Sequence, residues 1–582
     1  MGHARLNQAQ FLGITNLSRV EFQYDADFDE AEFADVFFTG SEFHSSVSFH
    51  GANVRGVVRF DEVVFHRSVD FMQSRVGGSA SFLGARFKDF TLFEHAEICH
   101  NADFSTAQFD EMVSFASVRI TGTAEFQRAT FTGTPSFDDA KFMDHAVFDG
   151  AQFLSRTLFL GSVFSAGASF RKAQFADSVD FDGSRIVGDI GFQGAEFAGV
   201  SDVGPLVCAG CVDLSGAVFA LPVTLEISAC DLVCNRTRWE STAVLRVRYA
   251  SIDLADAVLS APLAVTSQPV PFSSVPTFGA MDETLLDGRV QTASVTSVRG
   301  VDASHLVLTD TDLKDCLFTG AFHLNQIRLE GRTVFPSVPK GFHRRNHAWP
   351  TRWSQRRTLA EEHHWRAQAA HQAVPIAGQS GSEPARQWRT GPHHGDPART
   401  PDPEDVAAVY RQLRQAFEDG KNEPGAADFY YGEMEMRRHD HDATPRGERG
   451  LLHGYWLLSG YGLRASRALL WLLAAMSSTI LLLMGLGLPQ HSPKQEASAI
   501  VPAGGGPVTF TIDKDDPQNP TGDRFTGKRF EKALNVTLNS VVFRSSGQDL
   551  TTAGTYIEMT SRLLEPALLA LAVLAVRGRI KR

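Results

Sequence analysis

The segment FSTAQFDEMVSFASVRITGTAEFQRATF (residues 104–131) carries the pattern that decides the fold of this protein. Its large apolar residues return at alternating steps of five and six: Phe104, Phe109, Phe115, Ile120, Phe126 and Phe131. A helix repeats every 3.6 residues and a strand every two, so neither places these side chains on one side. A chain that turns a corner between successive inward-pointing side chains does so, and the spacing predicts a solenoid.

The same ladder extends from Phe22 to Phe197, with a small residue often standing two positions before the aromatic one, as in Ala85/Phe87 and Ala140/Phe142. The chain of 582 residues contains 44 Phe but only 8 Tyr and 7 Trp, a bias that ordinary mixed cores do not show. Both ladder positions must point into a crowded coil. The pattern therefore predicts a core of phenyl rings stacked along the solenoid axis.

The A-x-F pattern resembles the phenylalanine-rich form of the pentapeptide-repeat family over residues 5–200. This resemblance implies a mainly β fold, a right-handed β-helix with four faces. The alternating steps sum to 22 residues rather than the 20 of four pentapeptides, so a looser square and a three-sided coil both stay open. Leucine replaces phenylalanine after Val200, which predicts irregular coils over residues 201–335.

A helical connector is expected to follow the solenoid. Residues 344–366 are rich in Trp, Arg and His and are predicted to form a capping helix. Residues 367–401 are rich in Gln, Gly, Pro and His and are predicted to form a flexible linker. Asp402, followed by Pro403, predicts the start of a helical hairpin over residues 402–440.

Residues 465–582 are predicted to form a membrane segment with two transmembrane helices. Residues 468–488 carry no charge, and 21 residues in a helix span about 31 Å, close to the thickness of a bilayer core. Arg464 and Arg467 precede this run and a basic cluster ends the chain, and basic residues favour the cytoplasmic side. We therefore expect a multi-pass protein of the cell membrane with both termini cytoplasmic.

The second apolar run, Leu563 to Val576, is short and contains Pro566. Extending it back to Tyr556 makes it long enough to span, but includes three charged residues on one helical face: Glu558, Arg562 and Glu565. Two interpretations stay open. The charges either pair or line a polar cavity inside the membrane, or the first two lie at the interface.

The order of an outer helix, a short helix, a polar loop and an inner helix over residues 465–582 resembles the two-helix pore-loop module of the potassium-channel superfamily. Phe530 to Phe543 is expected to form a short helix that dips into the membrane, and the pore-loop lining would then be Ser545, Ser546, Gly547, Gln548 and Asp549. That run lacks the T-V-G-Y-G filter, so the resemblance implies no potassium selectivity. The alternative is a degenerate, non-conducting loop at the outer surface.

Two groups of residues have the side chains that bind metals, but we interpret both groups as structural. Cys208, Cys211, Cys230 and Cys234 have a spacing that zinc sites can use, but small inward residues of irregular coils explain them as well. His363 and His364 beside Glu361 and Glu362 are predicted to form a solvated helix face. The sequence thus predicts no metal site and no cofactor.

The remaining features favour a non-enzymatic protein. The net charge of -12 argues against nucleic acid as a partner, six cysteines are too few for a disulfide scaffold, and no catalytic motif is present. We expect a membrane-anchored scaffold or sensor that contacts lipid and an unidentified protein partner of the solenoid, and that forms a homo-oligomer. The alternatives are an ion-channel-like protein gated by its cytoplasmic domain, and, from the family resemblance, a DNA mimic that binds topoisomerase.

Overall fold

The computed structural model describes residues 3–274, 279–340, 342–343, 351–373, 387–391, 394, 396, 400–489, 495–500, 503–504, 506–512, 524–542, 544, 547 and 549–580. It contains two compact units, Met1–Phe429 and Tyr430–Arg582. Each unit is described by itself.

The first unit is a solenoid of parallel strands with about 15 turns, which confirms the predicted fold class. Each regular coil contributes four short strands; in one central coil these are Gln108–Phe109, Val113–Ser114, Arg119–Ile120 and Ala124–Glu125. Four strands per coil decide for the looser square over the three-sided coil. Longer strands run through one corner and join two faces into a single sheet: Gln10–Asn16, Glu32–Phe37, Asp202–Asp213 and Val223–Val233.

Successive coils pair in register. Phe65 lies beside Phe87 and Phe87 beside Phe109, a repeat of 22 residues. The same corner of each coil holds a residue with left-handed φ, and glycine fills it at Gly40 (+66°) and Gly84 (+64°). The position tolerates other residues, since Glu62 occupies it in the coil between them.

The in-register pairing stacks phenyl rings along the axis. Phe115 is fully buried between Phe93 and Phe137, at ring-centroid distances of 4.9 and 5.0 Å. It also meets the next face edge-on, with Phe104 at 5.3 Å and 82°. Three such stacks run through the coils and confirm the predicted phenyl core. The fourth row is mostly aliphatic: Val54, Val76, Ile98 and Ile120.

Later coils continue the solenoid with a shorter repeat. Val218 pairs with Arg238 and Arg238 with Val258, a step of 20 residues, and Trp239 stacks on Phe219 at 4.4 Å. The last long-strand pairing joins Leu306–Thr309 to Arg328–Glu330. Parallel coils with this shorter repeat thus lie within residues 201–335, the range for which the sequence predicts irregular coils.

Among the described residues, three helices follow the coils: α1 (Ala360–Ala369), α2 (Pro403–Asp419) and α3 (Glu423–His439). The Asp402 side chain accepts hydrogen bonds from the amides of Glu404 and Asp405, both at 3.1 Å, so the cap forms as the sequence indicates. The capping helix is shorter than the predicted residues 344–366. Thr351–Arg352 is a strand paired with Phe342–His343, and residues 344–350 lie outside the described part.

The second unit begins within α3 and contains four more helices: α4 (Arg446–Ser459), α5 (Ala465–Leu482, continued by a π-turn over Leu483–Gly487), α6 (Gly527–Val541) and α7 (Thr552–Ile580). A hairpin of Gln495–Ile500 and Pro507–Ile512 stands between α5 and α6 in the chain. Helix α7 passes through Pro566 and begins well before Leu563, so Glu558 and Arg562 lie inside a helix.

Candidate functional site

Two helices of the second unit have the length and composition of membrane spans. Ala465–Gly487 and Thr552–Arg577 contain 23 and 26 residues. Large apolar side chains cover their outer surfaces: Leu470 is 66% exposed and Leu563 is 74% exposed. Contiguous exposed apolar surface of this kind marks contact with a membrane or a partner rather than with water.

One acidic side chain of these helices faces inward. Glu565 on α7 is fully buried, and its Oε1 accepts a hydrogen bond from the Thr479 hydroxyl on α5 at 2.9 Å. Its Oε2 is also buried and has no hydrogen-bond partner among the described residues. The contact places a carboxyl group between two candidate spans.

The predicted charged face therefore divides into two parts. Arg562 Nη2 donates to Glu558 Oε1 at 2.6 Å, an ion pair of residues one helical turn apart. Glu565 turns instead toward α5. The structure brings Glu558 and Arg562 together and gives Glu565 a different environment.

Arg529 at the start of α6 is 2% exposed and binds the end of α5. Its guanidinium donates to the carbonyls of Met484 at 2.9 Å and Leu488 at 2.8 Å, which the π-turn leaves without helical partners. A cation at a helix C-terminus is also favoured by the helix dipole. Arg529 was not among the predicted site residues. The sequence signal for it is an arginine in the first turn of a helix that follows an apolar run without a C-terminal cap.

Helices α5 and α7 approach closely at two glycines. A Cβ atom added to Gly554 would lie 2.3 Å from the carbonyl oxygen of Gly487 and 2.8 Å from its Cα. Thr551, just before α7, donates from its hydroxyl to the Leu486 carbonyl at 2.8 Å. Small residues that let two backbones meet are a feature of helix packing in membranes.

The predicted pore-loop residues lie between α6 and α7. Gly547, with φ of +61°, and Asp549 are exposed. Ser545, Ser546 and Gln548 lie outside the described residues, so their role stays a prediction.

A buried ionic cluster closes the C-terminal end of the solenoid. Glu361 on α1 accepts hydrogen bonds from the amides of Phe318 and Thr319, the latter at 3.0 Å, and so occupies donors at the coil edge. Glu362 accepts from Arg356 Nη2 at 2.6 Å and from Arg366 Nε at 2.7 Å.

Burial opposes ionisation of Glu362, but the two guanidinium groups outweigh it and hold the pKa of its carboxyl well below the usual range. Glu361 and Glu362 are fully buried, and His363 and His364 are 2% and 9% exposed. The prediction of a solvated helix face is wrong, because these residues face the coil edge and the helices packed on it.

His363 belongs to the same cluster. Burial lowers the pKa of its imidazole to about 3, and its Nε2 lies 2.8 Å from the Thr358 hydroxyl. Trp388 packs edge-on against the ring at 4.9 Å, and Arg389 pairs with Asp315 at 2.9 Å. Trp388 and Arg389 come from the stretch predicted as a flexible linker, so at least this part of it has packed side chains.

The four cysteines do not form a group within reach of one metal ion. Burial raises the pKa of the Cys208 and Cys211 thiols to about 12, which disfavours the thiolate that zinc requires. All four cysteines are among the described residues. The three metal-binding side chains that do lie close enough together to hold one ion are Glu42, His44 and His66.

Parallel coils that enclose stacked aromatic side chains define the N-terminal body as a β-solenoid. The family model of pentapeptide repeats (9 copies) matches residues 6–53, 49–97 and 115–163. These segments of the solenoid therefore consist of pentapeptide repeats. No curated protein matches the chain.

Proposed function

We propose that the protein is a membrane-anchored pentapeptide-repeat scaffold or sensor without enzymatic activity, whose solenoid lies in the cytoplasm. One observation carries the proposal: α5 and α7 expose leucines and bury Glu565, the reverse of the arrangement in a soluble protein. Lipid accepts such a surface and water does not.

The distribution of basic residues supports the orientation. Arg464 and Arg467 stand at the start of α5, and Arg577 lies near the end of α7. By the positive-inside tendency both ends belong to the cytoplasmic side, which two crossings satisfy. Helix α6, with 15 residues and about 22 Å of length, is too short for a third crossing.

The outer surface of the solenoid supports a protein partner rather than nucleic acid. Cations and carboxylates alternate across neighbouring coils, with Arg55 and Glu32 at 2.7 Å and Arg75 and Glu97 at 2.6 Å. Such pairing gives neither the basic patch that binds phosphates nor the uniform acidity of a DNA mimic. A rigid rod with a mixed surface suits a scaffold.

Alkaline carbonate extraction of membranes from cells that express the full chain tests the anchoring. We expect the wild-type protein to stay in the membrane pellet. In a variant with Leu470→Arg, Leu473→Arg, Val573→Arg and Leu574→Arg, each charge costs about 2.5–3.5 kcal/mol at a helix centre, so this variant should leave the pellet. The matched control places four arginines on exposed solenoid positions: Leu83, Met112, Met143 and Leu154. Wild-type protein in the supernatant would refute the proposal.

A second candidate function is ion passage, which the order of α5, α6 and α7 and the buried Glu565 carboxyl favour. Ion flux into liposomes that contain the purified full chain would support it, and loss of that flux in Glu565→Gln would assign the carboxyl to the path. Absence of flux under any ion gradient would leave the scaffold.

A further inference from the structure

Glu42, His44 and His66 lie together on one outer face of the solenoid. Glu42 begins the strand Glu42–Phe43 and His44 directly follows that strand, and the two side chains meet on the outer face. The next coil pairs Val64 with Glu42, which sets His66 directly beside His44. The two imidazole rings stack at 4.6 Å and 19°.

The distances fit a transition-metal ion. Glu42 Oε2 lies 3.6 Å from His44 Nε2 and 3.5 Å from His66 Nε2, and the three ligand atoms lie within 4.8 Å of one another. In a tetrahedral zinc site with bonds of about 2.0–2.2 Å, neighbouring ligand atoms are about 3.4 Å apart. Both observed carboxylate-to-imidazole distances match this value.

The surroundings of the three side chains are also suitable. Their backbone is held by the coil ladder, with the amides of His44 and His66 donating to Phe22 and Phe43 carbonyls at 2.9 Å. His66 Nε2 is shielded from solvent and makes no hydrogen bond. The side chains themselves are partly exposed, so an ion has access from solvent.

We propose that Glu42, His44 and His66 bind a divalent transition-metal ion, zinc being the best match, with water as the fourth ligand. Two imidazoles and one carboxylate with an open fourth position form a known zinc ligand set. The sequence predicts no metal site here. His66 stands 22 residues from His44 in the chain, and the two become neighbours only through the pairing of successive coils. The inference is independent of the membrane anchor.

Lys88 offers a sharper test than removal of a ligand. Its Nζ lies 3.4 Å from His66 Nδ1. A metal-bound imidazole carries its proton on the other nitrogen and normally donates it to a carboxylate, which raises metal affinity 10- to 100-fold. Lys88→Glu would supply that carboxylate, and a purely structural role of the histidines predicts no gain from it.

The test is zinc titration of the purified full chain in detergent, by calorimetry and by metal content after dialysis. We expect His44→Ala and His66→Ala each to bind one zinc equivalent fewer than wild type, Glu42→Gln to bind at least tenfold more weakly, and Lys88→Glu about tenfold more tightly. His50→Ala is the matched control, since His50 faces a single carboxylate, Asp70 at 3.7 Å.

Circular dichroism without metal verifies that each variant keeps the coils, which these outward-facing substitutions should leave intact. The proposal is overturned if wild-type protein binds no zinc at micromolar free metal, or if His44→Ala and His66→Ala bind as much zinc as wild type with the same affinity.

Discussion

The solenoid and the second unit use opposite arrangements of polarity. In the solenoid Phe115 is fully buried, while charged side chains such as Arg75 (59% exposed) stand outside. In the second unit Leu470 and Leu563 are exposed, and Arg529 and Glu565 are buried. The first arrangement is stable in water, and the second requires a solvent that accepts leucine and excludes charge.

The comparison shows how the same chain can carry two kinds of core. A β-helix removes apolar rings from water by stacking each coil on the last, so its outer surface is free to be polar. Helices α5 and α7 leave apolar surface exposed and hold together by polar contacts and close backbone approach. These include the hydrogen bond from the Thr479 hydroxyl on α5 to Glu565 on α7 and the close approach of Gly554 to Gly487.

The largest effect should come from a phenyl stack. Phe115→Ala removes a ring that contacts both neighbouring coils, and we expect a loss of roughly 3–5 kcal/mol in the free energy of unfolding. Denaturant unfolding of the purified full chain, followed by the circular dichroism of the coils, measures it. The control is Phe90→Ala, whose ring is 50% exposed and whose loss should cost less than about 0.5 kcal/mol. Equal effects of the two would refute the inward assignment.

The next effect concerns the ionic cluster buried at the C-terminal end of the solenoid. Glu362→Gln leaves Arg356 and Arg366 without their counter-charge in a buried cluster, so we expect a loss of roughly 3 kcal/mol. Tryptophan fluorescence during denaturation reports on this region, because Trp388 packs against it. In contrast, Glu418→Gln breaks only the exposed pair with Arg414 at 3.6 Å and should cost about 0.5 kcal/mol or less. A small effect of Glu362→Gln would show that the cluster is dispensable.

The stability of the buried ionic cluster should also depend on pH through His363. Its pKa is lowered to about 3 in the folded state, whereas an unfolded histidine titrates near 6.5. The unfolded chain therefore binds more protons between these values, and stability present above about pH 6.5 is lost as the pH falls.

From pH 6.5 to pH 5 the loss is about 2 kcal/mol, and it should vanish in His363→Asn. Unfolding free energies of wild type and variant at both pH values give the difference. His145→Asn, at an exposed position, should retain the wild-type dependence. Identical pH profiles of wild type and His363→Asn would contradict the assignment of a buried neutral imidazole.

The smallest effect is expected from a substitution where α5 packs against α7 in the second unit. Gly554→Ala would force its Cβ against the Gly487 backbone, and overpacking of this kind should cost about 1 to 2 kcal/mol. Fluorescence of Trp471 on α5 during denaturation in detergent follows the change. Gly485→Ala is the control in the same segment, since a Cβ there meets nothing within 4 Å. If both variants behave alike, the close crossing of α5 and α7 is absent.

The coils could be predicted because their physical cause is local and repeats. Each Phe must turn inward at the same point of every coil, so the spacing from Phe104 to Phe131 already contains the fold. The number of faces could not be decided from the spacing alone, because steps of five and six fit more than one cross-section. The four strands of each coil decide it.

Sites formed by distant residues escaped prediction. Glu362 and His363 look like any charged helix face until the coil end that covers them is known. Arg529 acquires its role only when α6 packs beside the last carbonyls of α5. His44 and His66 become neighbours through the coil register, while the pattern that fixes the register consists of the phenylalanines and carries no information about ligands. The start of α7 stayed open, because the run from Leu563 to Val576 is short for a membrane span and its extension back to Tyr556 includes three charged residues.

The central claim, that two helices cross a membrane and leave the solenoid in the cytoplasm, can be tested by thiol labelling of whole cells. The variant Ser498→Cys places a thiol on the hairpin between α5 and α6. All six native cysteines lie between Cys99 and Cys316 in the solenoid and serve as internal controls. A membrane-impermeant maleimide should label the introduced thiol in intact cells, and should label the partly exposed native Cys99 only after permeabilisation. Labelling of Cys99 in intact cells, or of the introduced thiol only after permeabilisation, would contradict the account.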